Sequence, residues 1–487
     1  MTRTPAQWLD LLTQRMDKDA PRYRRLESYV NGDAPLPELS KDTSEAWRAF
    51  QREARTNFGA TVRDAVADRI VPIGITVGGS VTSPAAKAAQ LVWRNNRMDH
   101  VVRQLVEYGL TYGKGYLTAW TNEDDDVPVV VAASPLKVCA DVDPMQPWRV
   151  NAAVRVWRDE TEEQDYARVI CEGATQTFTR PSHTTTARGD GTVVLNRFAG
   201  GWRAASPAEP FHGEVPVVVY DNPTGMAEVE AHTDILDRIN RSVLNLLTTN
   251  AMQAFKQRAL VKPAGAEDLP THDDRGNVID WAKLFEPAPA ALWNLPVGVS
   301  VWEGAATDTG PMLNSITNFV KHLSAATCTP LPMLMPDSAN QSAAGAENTE
   351  KSFIFKVRQR LALAKLATEA ILVIAVDFMG KPVSKTFDVR FEDPTRVLLT
   401  EKFNAAVQAK AAGLSLRTIQ TLILGMTPEE IEEDAAEREK EKASAPTPPP
   451  PAAQPAPGDE ESTDPEPVVR DPKETGPTAD KRLTSKA

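Results

Sequence analysis

The chain has 487 residues, of which 41% are hydrophobic and 25% charged, and its formal net charge is −12. That is enough apolar surface for two or three domains and too much for a wholly disordered protein. The acidic balance argues against coating nucleic acid by bulk charge neutralisation, though not against a surface that merely guides DNA.

Three cysteines, Cys139, Cys171 and Cys328, lie far apart in sequence and form no CxxC pair. A reducing, intracellular site of synthesis fits them best. The start, MTRTPAQWLDLLTQRMDKD, lacks the apolar core of a signal peptide. The longest apolar run, residues 370–379, is interrupted by Asp377 and falls well short of the ~20 residues that span a bilayer. The expectation is no membrane association.

The first hundred residues read as helices. Thr4-Pro5-Ala6-Gln7 is a capping-box pattern with proline at the first helical position. A second segment, 21–30, carries Tyr23, Leu26 and Val30 at helical spacing and stops at Asn31-Gly32. Residues 55–70 repeat the period with Phe58, Val62, Val66 and Ile70, and Val71-Pro72-Ile73-Gly74 breaks it. Residues 85–108 are again helical. From 116 to 220 short β-branched runs (129–131, 153–157, 168–171, 193–195, 217–220) alternate with turn residues, which predicts a mostly antiparallel β region.

Two long helices follow. Residues 226–260 carry Ile235, Ile239, Val243, Leu246 and Leu247 along one face, with Glu228 and Glu230 in the first turn. Their predicted reach is roughly 50 Å. A proline-rich stretch, 261–304, contains Trp281, Trp293 and Trp302, and a shorter helix over 311–327 points Leu313, Ile316, Val320 and Leu323 inward. Residues 336–348, PDSANQSAAGAEN, form a small-residue loop, and no basic residue occurs between Thr329 and Glu350. A helix over 347–379 is basic in its first half and, at ILVIAV, apolar on all sides and therefore buried. Helices over 400–412 and 415–424 end at Gly413 and Gly425, and Thr427-Pro428-Glu429-Glu430 is another capping box. Residues 443–487 hold eleven of the 38 prolines and no aromatic residue, so disorder is expected.

Catalytic chemistry is not visible. No HExxH, paired CxxC or EF-hand spacing predicts a metal, and the six histidines are scattered. Gly109-Leu110-Thr111-Tyr112-Gly113-Lys114-Gly115 has three residues between its first glycines and a Gly after the lysine, which fails the P-loop pattern. Glu123-Asp124-Asp125-Asp126 reads better as a solvated turn than as a cation site. Asp388, Glu392 and Asp393 read as surface charge rather than as a catalytic set. The expectation is a protein without catalytic residues, cofactor or metal; a soluble enzyme with an unrecognised site stays as the rival from another class.

The order of these segments resembles the portal proteins of tailed double-stranded DNA phages, in particular the Gp6-like portal family. The local matches are Tyr29-Val30-Asn31-Gly32-Asp33, RTNFGATVRDAVADRIVPIGI (55–75), YGLTYGKGYLTAW (108–120) and PVVVYDNP (216–223). The resemblance implies an α+β portal fold assembled as a ring, usually of twelve. It also implies a wing (1–225), a first stem helix (226–260), a clip (261–304) and a second stem helix (305–328). A tunnel loop region (329–349), a long spine helix with returning wing segment (350–399), a helical crown (400–442) and a disordered acidic tail (443–487) complete it. Its implied place is one vertex of the virion capsid, after synthesis in the host cytoplasm. The implied partners are double-stranded DNA in the channel, the terminase large subunit, a head–tail adaptor, and the major capsid and scaffolding proteins. Another head–tail connector or minor capsid protein is the rival within the same particle.

On this mapping the tunnel loop comprises Ser338, Asn340, Gln341, Ser342, Ala343, Ala344 and Gly345, whose amides, hydroxyls and methyls suit a yielding collar; an ordinary mobile connector has the same composition. Lys321, His322 and Lys351 are candidate channel cations by position. Trp281, Trp293 and Trp302 fit either partner anchoring or the clip's own core and subunit contacts. Twelve copies at −12 each would carry about −144, a surround that discourages DNA from sticking.

Overall fold

The computed structural model describes residues 3–37, 44–78, 82–121, 126–182, 185–187, 193–254, 258–261, 265, 271–272, 275–280, 300–303, 307–336, 343–381, 387–395 and 399–444. Met1–Asp434 forms one unit; Ala435–Ala487 is a second, described only through residue 444. The predicted acidic turn at 123–126, apart from Asp126, and the tail from 445 on lie outside the described residues.

Helix α1 (Pro5–Val30) opens on the predicted capping box: the Thr4 N–H donates to Gln7 Oε1 (3.0 Å) and the Gln7 N–H to Thr4 Oγ1 (3.4 Å). The two helices expected here are one. Pro21 lies inside it on the exposed side, while Leu12, Met16, Ala20, Tyr23 and Leu26 form an unbroken buried stripe across the same turns. Seating that stripe outweighs the backbone hydrogen bond that proline forfeits. Helices α2 (Glu45–Glu53) and α3 (Phe58–Ala67) follow. The break expected at Val71-Pro72 begins strand β1 (Pro72–Val77), which sequence periodicity did not disclose because its antiparallel partner is distant in the chain.

The helix predicted over 85–108 is two, α4 (Pro84–Asn95) and α5 (Met98–Tyr112), split by Arg97 in the left-handed region at φ 51°. Asn96 fixes the corner. Its Nδ2 donates to the Val92 carbonyl (2.9 Å), and its Oδ1 accepts from the Val130 N–H (2.7 Å).

The β region is antiparallel, as expected. Strands β2 (Lys114–Trp120), β3 (Val129–Ala133) and β12 (Val217–Asp221) form one sheet in the order β12-β2-β3. A larger sheet contains β4 (Val138–Val142), β5 (Val150–Asp159), β6 (Gln164–Cys171) and β7 (Gly173–Pro181). Its path runs β10-β7-β6-β5-β4, with β10 (Arg203–Ala204) at one edge and β11 (Glu209–Phe211) also on β7. Between them β8 (Thr185–Ala187) and β9 (Val193–Leu195) pair as a small ribbon. The inner face of the larger sheet alternates as a half-covered sheet must. Ala152, Val154, Val156, Ala167, Val169 and Phe178 pack under the α1 stripe.

Helix α6 (Thr233–Ala254) has 22 residues, so it reaches about 33 Å, shorter than the 226–260 span expected. Its start is displaced because Glu230 is committed elsewhere, accepting from the Ala227 N–H (3.0 Å) and pairing with Arg22. Its far end gives way to β13 (Arg258–Val261), which pairs with β14 (Ser300–Glu303). The chain returns through α7 (Gly310–Thr327) and a short turn of helix, α8 (Leu331–Leu334).

Helix α9 (Ala343–Phe378) is the longest element at 36 residues, about 54 Å. It begins earlier than the predicted 347, so Ala343, Ala344 and Gly345 stand in its first turn rather than in a loop. Its ILVIAV segment buries Ile371, Leu372, Ala375 and Val376 against β15 (Phe387–Phe391), α4 and α5. Val373 is 41% exposed, against the expectation of burial all round, because this core covers only part of the helix circumference. The last elements are α10 (Leu399–Ala411), α11 (Leu416–Ile419) continuing into a π turn over Gln420–Leu424, and α12 (Pro428–Ser444). Gly413 and Gly425 take positive φ at the predicted stops, and the Thr427–Glu430 capping box is formed by bonds of 2.7 and 3.1 Å.

Candidate channel hairpin and its anchor

Helices α6 and α7 form an antiparallel hairpin. The far end of α6 meets the start of α7: Gln253 Nε2 donates to the Thr307 carbonyl (2.8 Å), and Thr249 Oγ1 lies 3.8 Å from Met312 Sδ. Nearer the body, Arg238 stands over the Phe319 ring at 5.3 Å. Only the body end has a core, where Leu236, Ile239, Val320 and Leu323 pack with Tyr29, Val30 and Val62. Beyond Leu244 and before Val320, no described hairpin residue is fully buried. Met252 is 67% exposed, and Leu313, expected inward, is 51% exposed. That outer half is also uncharged: residues 242–254 and 309–320 contain no Asp, Glu, Lys or Arg.

The hairpin is fastened at its base by polar contacts that sequence reasoning did not find. Glu228, read from sequence as complementing a helix dipole, is instead a buried carboxylate between two cations of α9. Its Oε1 lies 2.9 Å from Lys356 Nζ and its Oε2 3.3 Å from Arg360 Nη2. Burial opposes its ionisation, but the two cations outweigh burial and hold its pKa below the ordinary value. The same Lys356 Nζ donates to the Thr327 carbonyl (2.5 Å) at the end of α7. One ammonium therefore ties the segment that leads into α6 to the end of α7. Lys356 and Arg360 stand four apart on one face of α9, but nothing local marks a carboxylate more than a hundred residues upstream as their partner.

Further contacts hold α6 to α1. Arg22 grips Glu230 with two nitrogens (2.6 and 2.5 Å), and Tyr29 Oη donates to the Asp237 carboxylate at 2.8 Å. Burial, with Asp237 beside it, pushes the Tyr29 phenol up to about 12. Asn240 Oδ1 accepts from both the N–H and the hydroxyl of Thr56 (2.9 and 2.8 Å).

Of the candidate channel cations, Lys321 and His322 are neighbours on the exposed side of α7, six and five residues before Thr327, and Lys351 is exposed on α9, five residues before Lys356. They thus flank the anchor. Trp302 is 55% exposed on β14. Trp281, Trp293, Ser338, Asn340, Gln341 and Ser342 lie outside the described residues. Asp388 is paired with Lys365 (2.6 Å) and Asp393 with Arg358 (3.5 Å), which accounts for both as structural charge. Among the described residues, no cluster of His, Cys, Asp and Glu could hold a metal, and no helix is long and apolar enough to cross a membrane.

The four segments that carried the family resemblance meet one another. Gly59 of α3 lies so close to α1 that a Cβ there would stand 2.3 Å from the Tyr29 carbonyl oxygen. Gly109 of α5 abuts Tyr220, and Asn222 donates from Nδ2 to the Gly109 carbonyl (3.0 Å). The motifs are thus packing sites rather than chemistry.

No curated protein matches the sequence. Solved structures similar to the chain come from a gene transfer agent (GTA) particle. The neck of the native particle computed with C12 symmetry has 13% identity and a TM-score of 0.41, covering 75% of this chain and 89% of that one. The virion of the native particle has 13% identity and a TM-score of 0.43, covering 84% and 99%. The neck of the empty particle computed with C6 symmetry has 13% identity and a TM-score of 0.44, covering 78% and 93%. The phage portal protein family of SPP1 Gp6-like type, a family of structural proteins, matches residues 9–444. With nearly the whole described chain inside that match, the chain belongs to the SPP1 Gp6-like family of phage portal proteins, the connectors of phage particles.

Proposed function

We propose that copies of this chain, twelve in number, assemble as a ring at one capsid vertex, with the α6–α7 hairpins lining a channel for double-stranded DNA. The observation that carries this reading is the outer half of the hairpin. Two helices side by side cannot cover each other's full circumference, and here Leu246, Leu247, Leu313 and Ile316 are left exposed or half-exposed. Like hairpins packed about an axis cover them. The same holds for Phe355 and Leu366 of α9, which are 69% and 63% exposed and, eleven residues apart, share one line along the helix.

The uncharged hairpin wall suits passage. Each phosphate gripped by a lysine or arginine adds affinity, and a conduit must let the duplex go. Lys321, His322 and Lys351, near the base, then supply sparse contacts, with the segment of residues 336–342 ahead of α9 as a collar. The β sheets and early helices form the wing, residues 261–304 the clip that receives the terminase motor and later the adaptor, and residues 400–442 the crown. Capsid and scaffolding proteins meet the wing.

Light scattering on the purified chain tests the ring. Twelve copies of 53.2 kDa give about 640 kDa with a central hole in negative-stain images. A stable 53 kDa monomer under all assembly conditions, including scaffold, would overturn the reading.

A further inference from the structure

The outer face of the larger sheet, opposite α1, carries a feature that neither the hairpin nor its anchor explains. Arg155 of β5 and Arg168 of β6 are directly opposed in the antiparallel register. Like charges so placed repel, and a sheet selected only for stability would not keep them. Among the described residues neither has a carboxylate partner. Arg155 donates from Nη1 to Thr118 Oγ1 (3.1 Å), and its guanidinium stands 4.7 Å from the centroid of the Trp120 ring. Burial pushes its pKa down, yet a guanidinium stays charged, so the charge is held at a cost and, among the described residues, without a counter-charge.

Both arginines line a cavity of about 530 Å³ between the two sheets, whose wall is otherwise largely apolar and includes Trp120, Trp157, Phe211 and Phe378. The volume falls within the roughly 300–1,000 Å³ typical of ligand sites. Trp157 and Tyr166 form the next rung of the same face, stacked with ring centroids 5.5 Å apart, and Trp157 is 39% exposed. The surface therefore continues out of the cavity as an aromatic shelf. Arginine beside tryptophan and tyrosine is the make-up of an interface hot spot.

We propose that this cavity is a docking site for an acidic peptide segment of a partner protein. An Asp or Glu of that segment is held between Arg155 and Arg168, an adjacent aliphatic or aromatic side chain fills the apolar floor, and the flanking chain lies over Trp157. Charge complementarity sets the acid, because the two guanidiniums offer forked donors and lack carboxylates. The floor sets the apolar neighbour, since a bare anion would leave it wet. The shelf outside sets a peptide rather than an enclosed small molecule. The inference does not depend on the ring or the channel.

A random heptapeptide library displayed on ribosomes and selected against the immobilised full-length protein tests this, with the R155Q and R168Q variants as parallel baits. The expected result is a set of sequences with Asp or Glu beside Phe, Leu or Ile that bind wild type at least ten-fold more tightly than either variant. R168Q, at an exposed strand position, should keep or raise the melting temperature, because it relieves a repulsion. The proposal is overturned if no sequence separates wild type from both variants, or if the separating sequences are not acidic. It is also overturned if 3-phenylpropionate alone, followed by tryptophan fluorescence, binds as tightly as the best peptide, which would make the occupant a small aromatic acid. A fall of more than about 5 °C in melting temperature for R168Q would show the arginine to be holding the sheet and equally sink the idea.

Discussion

Gly109 of α5 lies against the Cε1–Cδ1 edge of the Tyr220 ring in β12, so closely that a Cβ on the glycine would stand 2.0 Å from Cε1. Tyr220 is itself 1% exposed, and the Asn222 side chain closes the contact by donating to the Gly109 carbonyl. Helix and sheet can approach this far only because the glycine has no side chain.

Gly109→Ala should therefore destabilise the fold by up to about 2 kcal/mol. The gain in helix propensity, about 1 kcal/mol, is smaller than the overpacking it forces. Urea unfolding of the purified variant measures the loss, and a midpoint equal to wild type would show that α5 and β12 can move apart freely.

The other side of that contact predicts the opposite sign. Tyr220 Oη is buried without a hydrogen-bond partner among the described residues. Burial pushes its phenol pKa well up, as expected of a hydroxyl in apolar surroundings. Removing a polar atom that makes no bond costs nothing, so Tyr220→Phe should be neutral or stabilising by up to about 1 kcal/mol. A clear drop in melting temperature would reveal a partner for the hydroxyl.

Stability should fall in acid by two steps. His232, whose pKa is lowered chiefly by burial and by nearby Lys356 despite the attraction of Glu228, binds a proton more readily unfolded; stability starts to drop as pH passes below its ordinary 6.5. Glu228, also lowered, keeps its full contribution above its ordinary 4.5 and loses it as pH falls through the lower folded value. Glu228→Gln should shrink the second step to the part carried by Glu230 and Asp393, which are lowered as well, and, by leaving two buried cations without their carboxylate, cost about 3 kcal/mol at neutral pH. Melting temperatures of both proteins from pH 8 to pH 3 check it; parallel curves would rule out Glu228 as the titrating group.

Beneath the larger sheet, Arg180 is wholly buried. It pairs with Asp165 (3.1 Å), donates to the carbonyls of Arg197, Phe198, Ala199 and Gly200, and lies 4.2 Å over the Trp202 ring. Arg180→Ala strands Asp165 as a lone buried charge and releases the carbonyls of Arg197, Ala199 and Gly200, while Phe198 keeps the Trp202 indole N–H, so a loss of about 3–5 kcal/mol is expected. Asp165→Asn with Arg180 retained should cost less. Equal losses in denaturant would contradict the clamp.

For the collar, replacing Ser338, Asn340 and Gln341 with lysines should leave assembly intact and reduce packaged DNA, because three added cations per copy grip phosphates. Particle DNA content and plating efficiency at wild-type levels would remove the loop from the conduit.

Features set by a few adjacent residues were legible in the sequence. Both capping boxes, Thr4–Gln7 and Thr427–Glu430, and the stops at Gly413 and Gly425 stand where their residue types require. So do β3, β5, β6, β9 and β12, whose β-branched runs between turns carry their own signal, whereas β4 and β7 are not among the predicted runs. Contacts made across the chain were not legible. Val71-Pro72 looked like punctuation because the partner of β1 lies at Phe387–Phe391. Pro21 looked like a break because the stripe that holds α1 together is read only against the sheet beneath it. The anchor was missed for the same reason: Glu228 beside Glu230 resembles a helix start until Lys356, Arg360 and Arg22 are placed around them.

The tie that Lys356 makes between the segment leading into α6 and the end of α7 has a mechanical consequence. A pull along either leg of the hairpin reaches the same turn of the molecule's longest rod, so the legs are restrained from sliding independently and the strain passes into α9 at one point. Whatever happens at the hairpin's tip is thereby transmitted to the fourth turn of that rod, about 33 Å from its other end.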